Sequence, residues 1–140
     1  YWLKVYEVPQ VSAAGKGRSI VNLVRMEGDE RITDIISVKD FKENEYVIFA
    51  TALGIVKKTP LSEFSNPRTS GIIAQTIKES DQLIAVSKTG GKHDVFLSTA
   101  HGKSIRFHEK DVRAMGRAAQ GVIGIRLRGA DRVVSMTTFT

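Results

Sequence analysis

The chain has 140 residues, no cysteine, and 21 Lys+Arg against 15 Asp+Glu, a formal charge of +6. At about 100–200 residues per domain this is one domain or a pair of small ones. Without cysteine there is no disulfide framework, thiolate zinc site or thiol catalysis; no apolar run reaches the roughly 18 residues of a membrane-spanning helix; and the basic balance favours a polyanionic partner.

In chain order the apolar runs read as short strands. Ile20–Val24 and Ile32–Val38 come first. Tyr46–Phe49 and Leu53–Val56, joined through small residues and Gly54, read as a hairpin. Ile72–Ile77 and Leu83–Ser87 follow, and Asp94–Leu97 with Ser104–Phe107 form a second hairpin around Gly102. Val122–Leu127 and Val133–Thr138 complete the set. Only Leu61–Phe64 and Glu109–Val112 read as single helical turns. The fold class is all-β. Phe49, Phe96 and Phe107 fall in apolar runs and are expected in the core.

The runs repeat. Gly17–Leu23, Gly71–Ile77 and Gly121–Leu127 each start on Gly and close on an aliphatic residue six positions later. Ile32–Ile35, Leu83–Val86 and Val133–Met136 recur after them, and the hairpins match at an offset of 48, with Gly54 on Gly102 and Lys58 on Arg106. A period near 50 with four strands per unit marks a propeller-like array. The expected organisation of 1–140 is one array: a partial blade 1–16, complete four-stranded blades 17–64 and 71–112, and a partial blade 121–140.

No catalytic constellation can be assembled from these residues. His93, His101 and His108 have no metal-ligand spacing, and His93 and His101 are expected as solvated loop residues. Neither a nucleophile elbow nor a phosphate loop is present, and Gly90-Gly91 reads as a plain turn. No catalytic residue and no metal ligand is assigned.

What recurs is positive charge. Lys57-Lys58 and Arg106 follow the hairpin glycines, and Lys4 holds the corresponding place near the start. The seams between units carry Lys16 and Arg18, then Arg68, then Arg113 and Arg117, and Lys103 sits at a hairpin tip. Equivalent positions in a rotational array would align these cations as a stripe on the rim. A stripe of point charges, with no helix for a groove and no aromatic platform, suits phosphate contact and not base readout. Lys57, Lys58, Arg68, Arg106, Arg113 and Arg117 are the expected phosphate contacts, with Lys4, Lys16, Arg18 and Lys103 secondary. A propeller-type protein-interaction scaffold is the alternative from another class.

Residues 1–9 (YWLKVYEVP), 17–23 (GRSIVNL), 59–64 (TPLSEF) and 116–127 (GRAAQGVIGIRL) closely resemble the C-terminal domain of the bacterial DNA gyrase A protein, and the resemblance runs the length of the chain. It implies a β-pinwheel, a propeller-like ring of usually about six blades with strands exchanged between neighbours. Members wrap duplex DNA on a basic rim in support of ATP-dependent negative supercoiling, in the bacterial cytoplasm at the nucleoid. The resemblance places ATP, Mg and DNA cleavage in other parts of the enzyme, a type II DNA topoisomerase, so no cofactor is expected here, and Tyr1, Tyr6 and Tyr46 are not the cleaving tyrosine. Implied partners are double-stranded DNA, the rest of the gyrase A protein and the gyrase B protein; no membrane is implied. The chain starts at Tyr1 without an initiator Met and is expected to be about half a ring, cut from a longer protein, with open blade edges that invite self-association. The family's glycine- and arginine-rich box has no counterpart within it, so supercoiling is implied for the parent protein, not for this piece alone. A topoisomerase IV-type domain that senses DNA geometry is the near alternative.

Overall fold

The computed structural model describes all 140 residues and divides into two compact units. The first comprises Tyr1–Arg31 with Asn66–Ile72. It holds no strand, only the 3-10 turns Val5–Glu7 and Ile20–Asn22, the latter in place of the strand expected over Ile20–Val24. Gly71 has φ +79°, and a Cβ there would stand 2.8 Å from the Tyr1 ring, so only glycine fits. The Tyr1 hydroxyl donates to the Glu30 carboxylate, which also accepts the Glu27 N–H at 2.9 Å. Those bonds hold the Glu30 carboxyl below its usual value, and the same contact lifts the Tyr1 phenol to about 12.

The second unit, Ile32–Ser65 with Ile73–Thr140, holds every strand. These are β1 (Tyr46–Thr51), β2 (Ile55–Pro60), β3 (Leu83–Thr89), β4 (Asp94–Thr99), β5 (Ser104–His108), β6 (Val122–Ile123) and β7 (Val133–Phe139). All pair antiparallel, in two sheets of order β3-β1-β2-β6 and β5-β4-β7. The expected hairpins are β1–β2 and β4–β5. Gly54 closes the first as the left-handed residue of a three-residue loop, with φ +87°. The turns Leu61–Phe64 and Glu109–Asp111 follow the two hairpins, as expected.

The repeat survives in the register. β1 meets β3 from Tyr46↔Thr89 to Thr51↔Leu83, with a shift at Ala50/Thr51. β4 meets β7 from Asp94↔Phe139 to Thr99↔Val133, with a shift at Ser98/Thr99. The tips are capped alike. Ala52 N–H donates to the Gln82 carbonyl at 2.9 Å and Ala100 N–H to the Arg132 carbonyl at 2.8 Å. Leu53 N–H donates to the Asp81 carboxylate at 2.9 Å and His101 N–H to the Asp131 carboxylate at 3.0 Å.

This pairing redraws the expected blades. The sequence repeat groups residues 83–89 with the 94–107 hairpin in blade 71–112, yet β3 pairs with β1 of the preceding hairpin, and β6 pairs with β2 of that same hairpin. The boundaries 17–64 and 71–112 therefore mark repeats of sequence, and the first sheet draws strands from three of them. The switch between sheets falls at the corner between β3 and β4. The buried Glu109 carboxylate accepts the Thr89 hydroxyl and the His93 N–H, both at 2.8 Å, so the chain turns out of one sheet and into the next. His93 is accordingly tied down, not a solvated loop histidine; its Nδ1 accepts the Gly90 N–H at 3.2 Å.

Other expected strands are shorter or missing. Val122–Leu127 pairs for only two residues, because Gly124 and Ile125 both turn their N–H groups onto the Gly54 carbonyl, at 2.8 and 3.3 Å. Residues 72–77 form no strand; the Thr76 hydroxyl and Gln75 amide donate instead to the carbonyls of Ala118 and Gln120, both at 2.7 Å. No strand forms over 32–38, where the Asp34 carboxylate accepts the N–H groups of Ile35 and Val86.

The core lies within this unit, around Ile48, Ala50, Val56, Val95, Leu97, Val112, Ile125 and Val133. β4 alternates buried and half-buried residues, but β1 is buried at every position after Tyr46, as a strand covered on both faces must be. Phe49 is buried as expected, against Phe64 at 6.3 Å between ring centres; Phe96 and Phe107 are half-buried. The Ser87 and Thr138 hydroxyls share a 2.6 Å hydrogen bond that ties β3 to β7 across the two sheets.

Candidate nucleic-acid interface

The two lysines of β2 do not face solvent. Lys57 is 0% exposed, and its ammonium donates to the carbonyls of Ala74, at 2.6 Å, and Arg117. Burial and then the charge of Arg117 push it down to about 8. Lys58 is 7% exposed; its Nζ donates to the Glu109 carbonyl at 2.9 Å, lies 3.8 Å from the Glu109 carboxylate and sits over the Tyr46 ring at 4.7 Å. The expectation that these two grip phosphate is therefore corrected. A cation enclosed by carbonyls and a carboxylate has no donor to offer a polyanion, and β2 is covered by β6 on one side and by 74–76 and 115–117 at its lysines.

Arg106, the repeat partner of Lys58, is exposed but engaged. Its Nε and Nη2 stand 2.7 and 2.5 Å from one Asp94 carboxylate oxygen, and its guanidinium lies 5.0 Å from the Phe139 ring centre. Arg113 and Arg117 follow the Glu109–Asp111 turn on a segment anchored along β2 by the Met115 N–H on the Lys58 carbonyl at 2.8 Å. Arg113 is exposed and Arg117 half-buried, and neither guanidinium has a carboxylate partner. Lys103 is exposed at the β4–β5 tip, likewise without an ion pair. The expected contacts Lys4, Lys16, Arg18 and Arg68 belong to the first unit and are exposed there, with the Lys4 ammonium 5.6 Å from the Tyr6 ring centre.

Three cations outside the expected set stand out in the second unit. An open groove of about 960 Å³ runs between the β1–β2 tip and the segments 75–78 and 120–129. Lys78, Arg126 and Arg128 line it, together with Lys103. None of the four is in an ion pair. The repeat held a signal for two of them: Lys78 and Arg128 each directly follow the aliphatic residue that closes the Gly-led motif. Asp81 and Asp131 also line the groove, but one oxygen of each is occupied by two backbone N–H groups.

No group of three or more His, Asp or Glu side chains is placed to hold a metal, and no helix is long and apolar enough to cross a membrane. Repeated antiparallel hairpins that take strands from later repeats, with loop cations left unopposed, define a β-pinwheel, a propeller-like class of all-β domain. The model of the DNA gyrase C-terminal domain, beta-propeller, matches residues 1–39, 45–89 and 93–139, and the chain belongs to that family. It is similar to the DNA gyrase A protein of Klebsiella oxytoca, 54% identical over 136 residues, and to that of Escherichia coli (strain K12), 48% identical over 136 residues. Each match covers 97% of this chain and 16% of the relative, so the chain spans about a sixth of those proteins. Among solved structures, a DNA topoisomerase IV C-terminal domain superposes with TM-score 0.86 at 34% identity, over 97% of this chain and 42% of that one. A DNA gyrase A C-terminal domain superposes with TM-score 0.81 at 24% identity, over 99% and 43%, a likeness of fold.

Proposed function

We propose that the chain binds duplex DNA without sequence preference, through phosphate contacts, and bends or wraps it as part of a gyrase A protein that supports ATP-dependent negative supercoiling in the bacterial cytoplasm. The observation that carries this reading is the division among the cations of the second unit. Lys57, Lys58 and Arg106 are spent on the fold, whereas Lys78, Lys103, Arg113, Arg117, Arg126 and Arg128 lie on loops with no carboxylate opposite. Side chains held out of ion pairs suit phosphate, and the absence of a recognition helix fits backbone contact over base readout. On this reading ATP, Mg and the cleaving tyrosine belong to the rest of the gyrase A protein and to the gyrase B protein.

A salt titration of a fluorescent duplex tests it. Six such contacts predict log Kobs against log salt with a slope of about −5, equal for unrelated sequences. A flat slope would favour the protein-interaction scaffold. The 34% identity to a topoisomerase IV domain supports a second reading, in which DNA geometry is sensed without wrapping; end-to-end distances in a doubly labelled short duplex separate the two. The outer strands of the two sheets, β3 and β6 in one and β5 and β7 in the other, each have a single partner, and open edges of this kind invite self-association through strand pairing. Measuring the solution mass beside the titration shows whether copies join there.

A further inference from the structure

We propose that the groove beside the β1–β2 tip is a composite seat for one sugar–phosphate backbone, built by successive repeats together and not by the rim strands of each. The inference rests on the DNA-binding reading and adds the place. Its walls come from different repeats: Lys78 follows one Gly-led motif, Arg126 and Arg128 end the next, and Lys103 reaches in from the second hairpin tip. Four cations meet two carboxylates, Asp81 and Asp131, each with an oxygen already bound to backbone N–H groups. With four cations against two carboxylates, the lining carries a net formal charge of +2.

The lining fits a nucleic-acid backbone in two further respects. Leu53, Ile77, Ile125 and Leu127 give it an aliphatic surface, against which deoxyribose C–H edges pack while phosphates meet the cations. No aromatic side chain lines it, so bases find no stacking platform and the seat is blind to sequence. An acidic peptide is the other polyanion of suitable width. Peptides that dock beside a sheet gain their affinity from a free strand edge, and here the edge of β2 is taken by β6, whose own outer edge is only the two residues Val122 and Ile123 long. An edge too short for a strand ladder, and the aliphatic lining, together favour nucleic acid.

The test uses the full chain, a labelled duplex of about 30 bp spanning the groove and flanking surface, and a poly-glutamate probe. Neutralising Lys78→Gln, Arg126→Gln and Arg128→Gln together should reduce the slope of log Kobs against log salt by about 2.7 and weaken binding at 0.1 M salt by roughly a hundredfold or more. The same positions as Lys78→Arg, Arg126→Lys and Arg128→Lys should keep the slope, and exposed Lys92→Gln, outside the groove, should leave it unchanged. Equal melting temperatures for the Gln and charge-keeping triples separate lost contact from lost fold. If the Gln triple keeps the wild-type slope while Arg113→Gln with Arg117→Gln lowers it, the groove is not the seat, though the DNA-binding reading stands. If wild type shows no salt-dependent duplex binding, that reading itself fails. Poly-glutamate bound at the groove, with duplex affinity untouched by the triple, overturns the assignment in favour of a peptide.

Discussion

Lys57 offers a stability test that needs no ligand. Its amine is wholly buried, and burial pushes its pKa from 10.5 down to about 8. Below about pH 8 the group is charged in the native and the unfolded chain alike, and the native state bears the full cost of the buried charge. Between about 8 and 10.5 the unfolded chain holds a proton that the native chain has released, so unfolding free energy rises with pH through this group. A fall of about 2.5 pK units, from 10.5 to about 8, corresponds to roughly 3 kcal/mol of relief across that window. Lys57→Met removes the titration but strands the carbonyls of Ala74 and Arg117, at about 1–3 kcal/mol each. The variant should therefore lie within a few kcal/mol of wild type at pH 7 and fall behind by a further ~3 kcal/mol at pH 10.5. Urea unfolding of both proteins from pH 7 to 10.5 measures this. Taking the difference matters because the Tyr1 phenol, raised to about 12, contributes with the opposite sign, losing stability as pH rises from 10 towards 12, and is the same in both chains. A gap between the two proteins that does not change with pH refutes the argument.

Two further outcomes follow from the packing. Glu109→Gln leaves Lys58 buried without its counter-charge and should cost about 3–5 kcal/mol in urea unfolding, part of which Lys58→Met in the same chain should restore. Gly54→Ala should destabilise more than Gly102→Ala by about 1–3 kcal/mol. Both glycines have positive φ, at +87° and +79°, but a Cβ on Gly54 would lie 2.6 Å from the Ile125 carbonyl oxygen, whereas Gly102 has open space around it.

The hairpins were legible because their signal is local: two apolar runs around a glycine dictate a turn whatever surrounds them. Strand partnership was not legible. Leu83–Thr89 reads the same whether it joins the hairpin before it or the one after, and the contact that pins the corner beyond it comes from Glu109, which lies 20 residues past Thr89 and gathers its hydroxyl with the His93 N–H. The site suffered from the same long-range dependence. Two consecutive lysines on a strand point to opposite faces, and the charge of each reads as a sign that its face meets solvent. β2 does not alternate, since residues from 74 to 123 cover it, and no feature of Ile55–Pro60 announces that cover. Lys78 and Arg128 were within reach of the sequence, because their repeat position was visible.

Lys58 and Arg106 show why a repeated charge need not be a repeated function. They share one register position, opposite Ile48 in β1 and Phe96 in β4. Lys58 is sealed by the Ala114–Met115 segment and turned inward to Glu109, whereas Arg106 lies on an edge strand and pairs outward with Asp94. The difference comes from whether another segment covers the strand, not from the repeat unit itself. Cations on strands are thus exposed to capture by whatever packs next to them. Those on the loops after the Gly-led motifs have no carboxylate paired with them. If a polyanion is held by equivalent points of successive repeats, those loops are where the equivalence persists: Lys78 and Arg128 keep both the same position and the same freedom, which Lys58 and Arg106 do not.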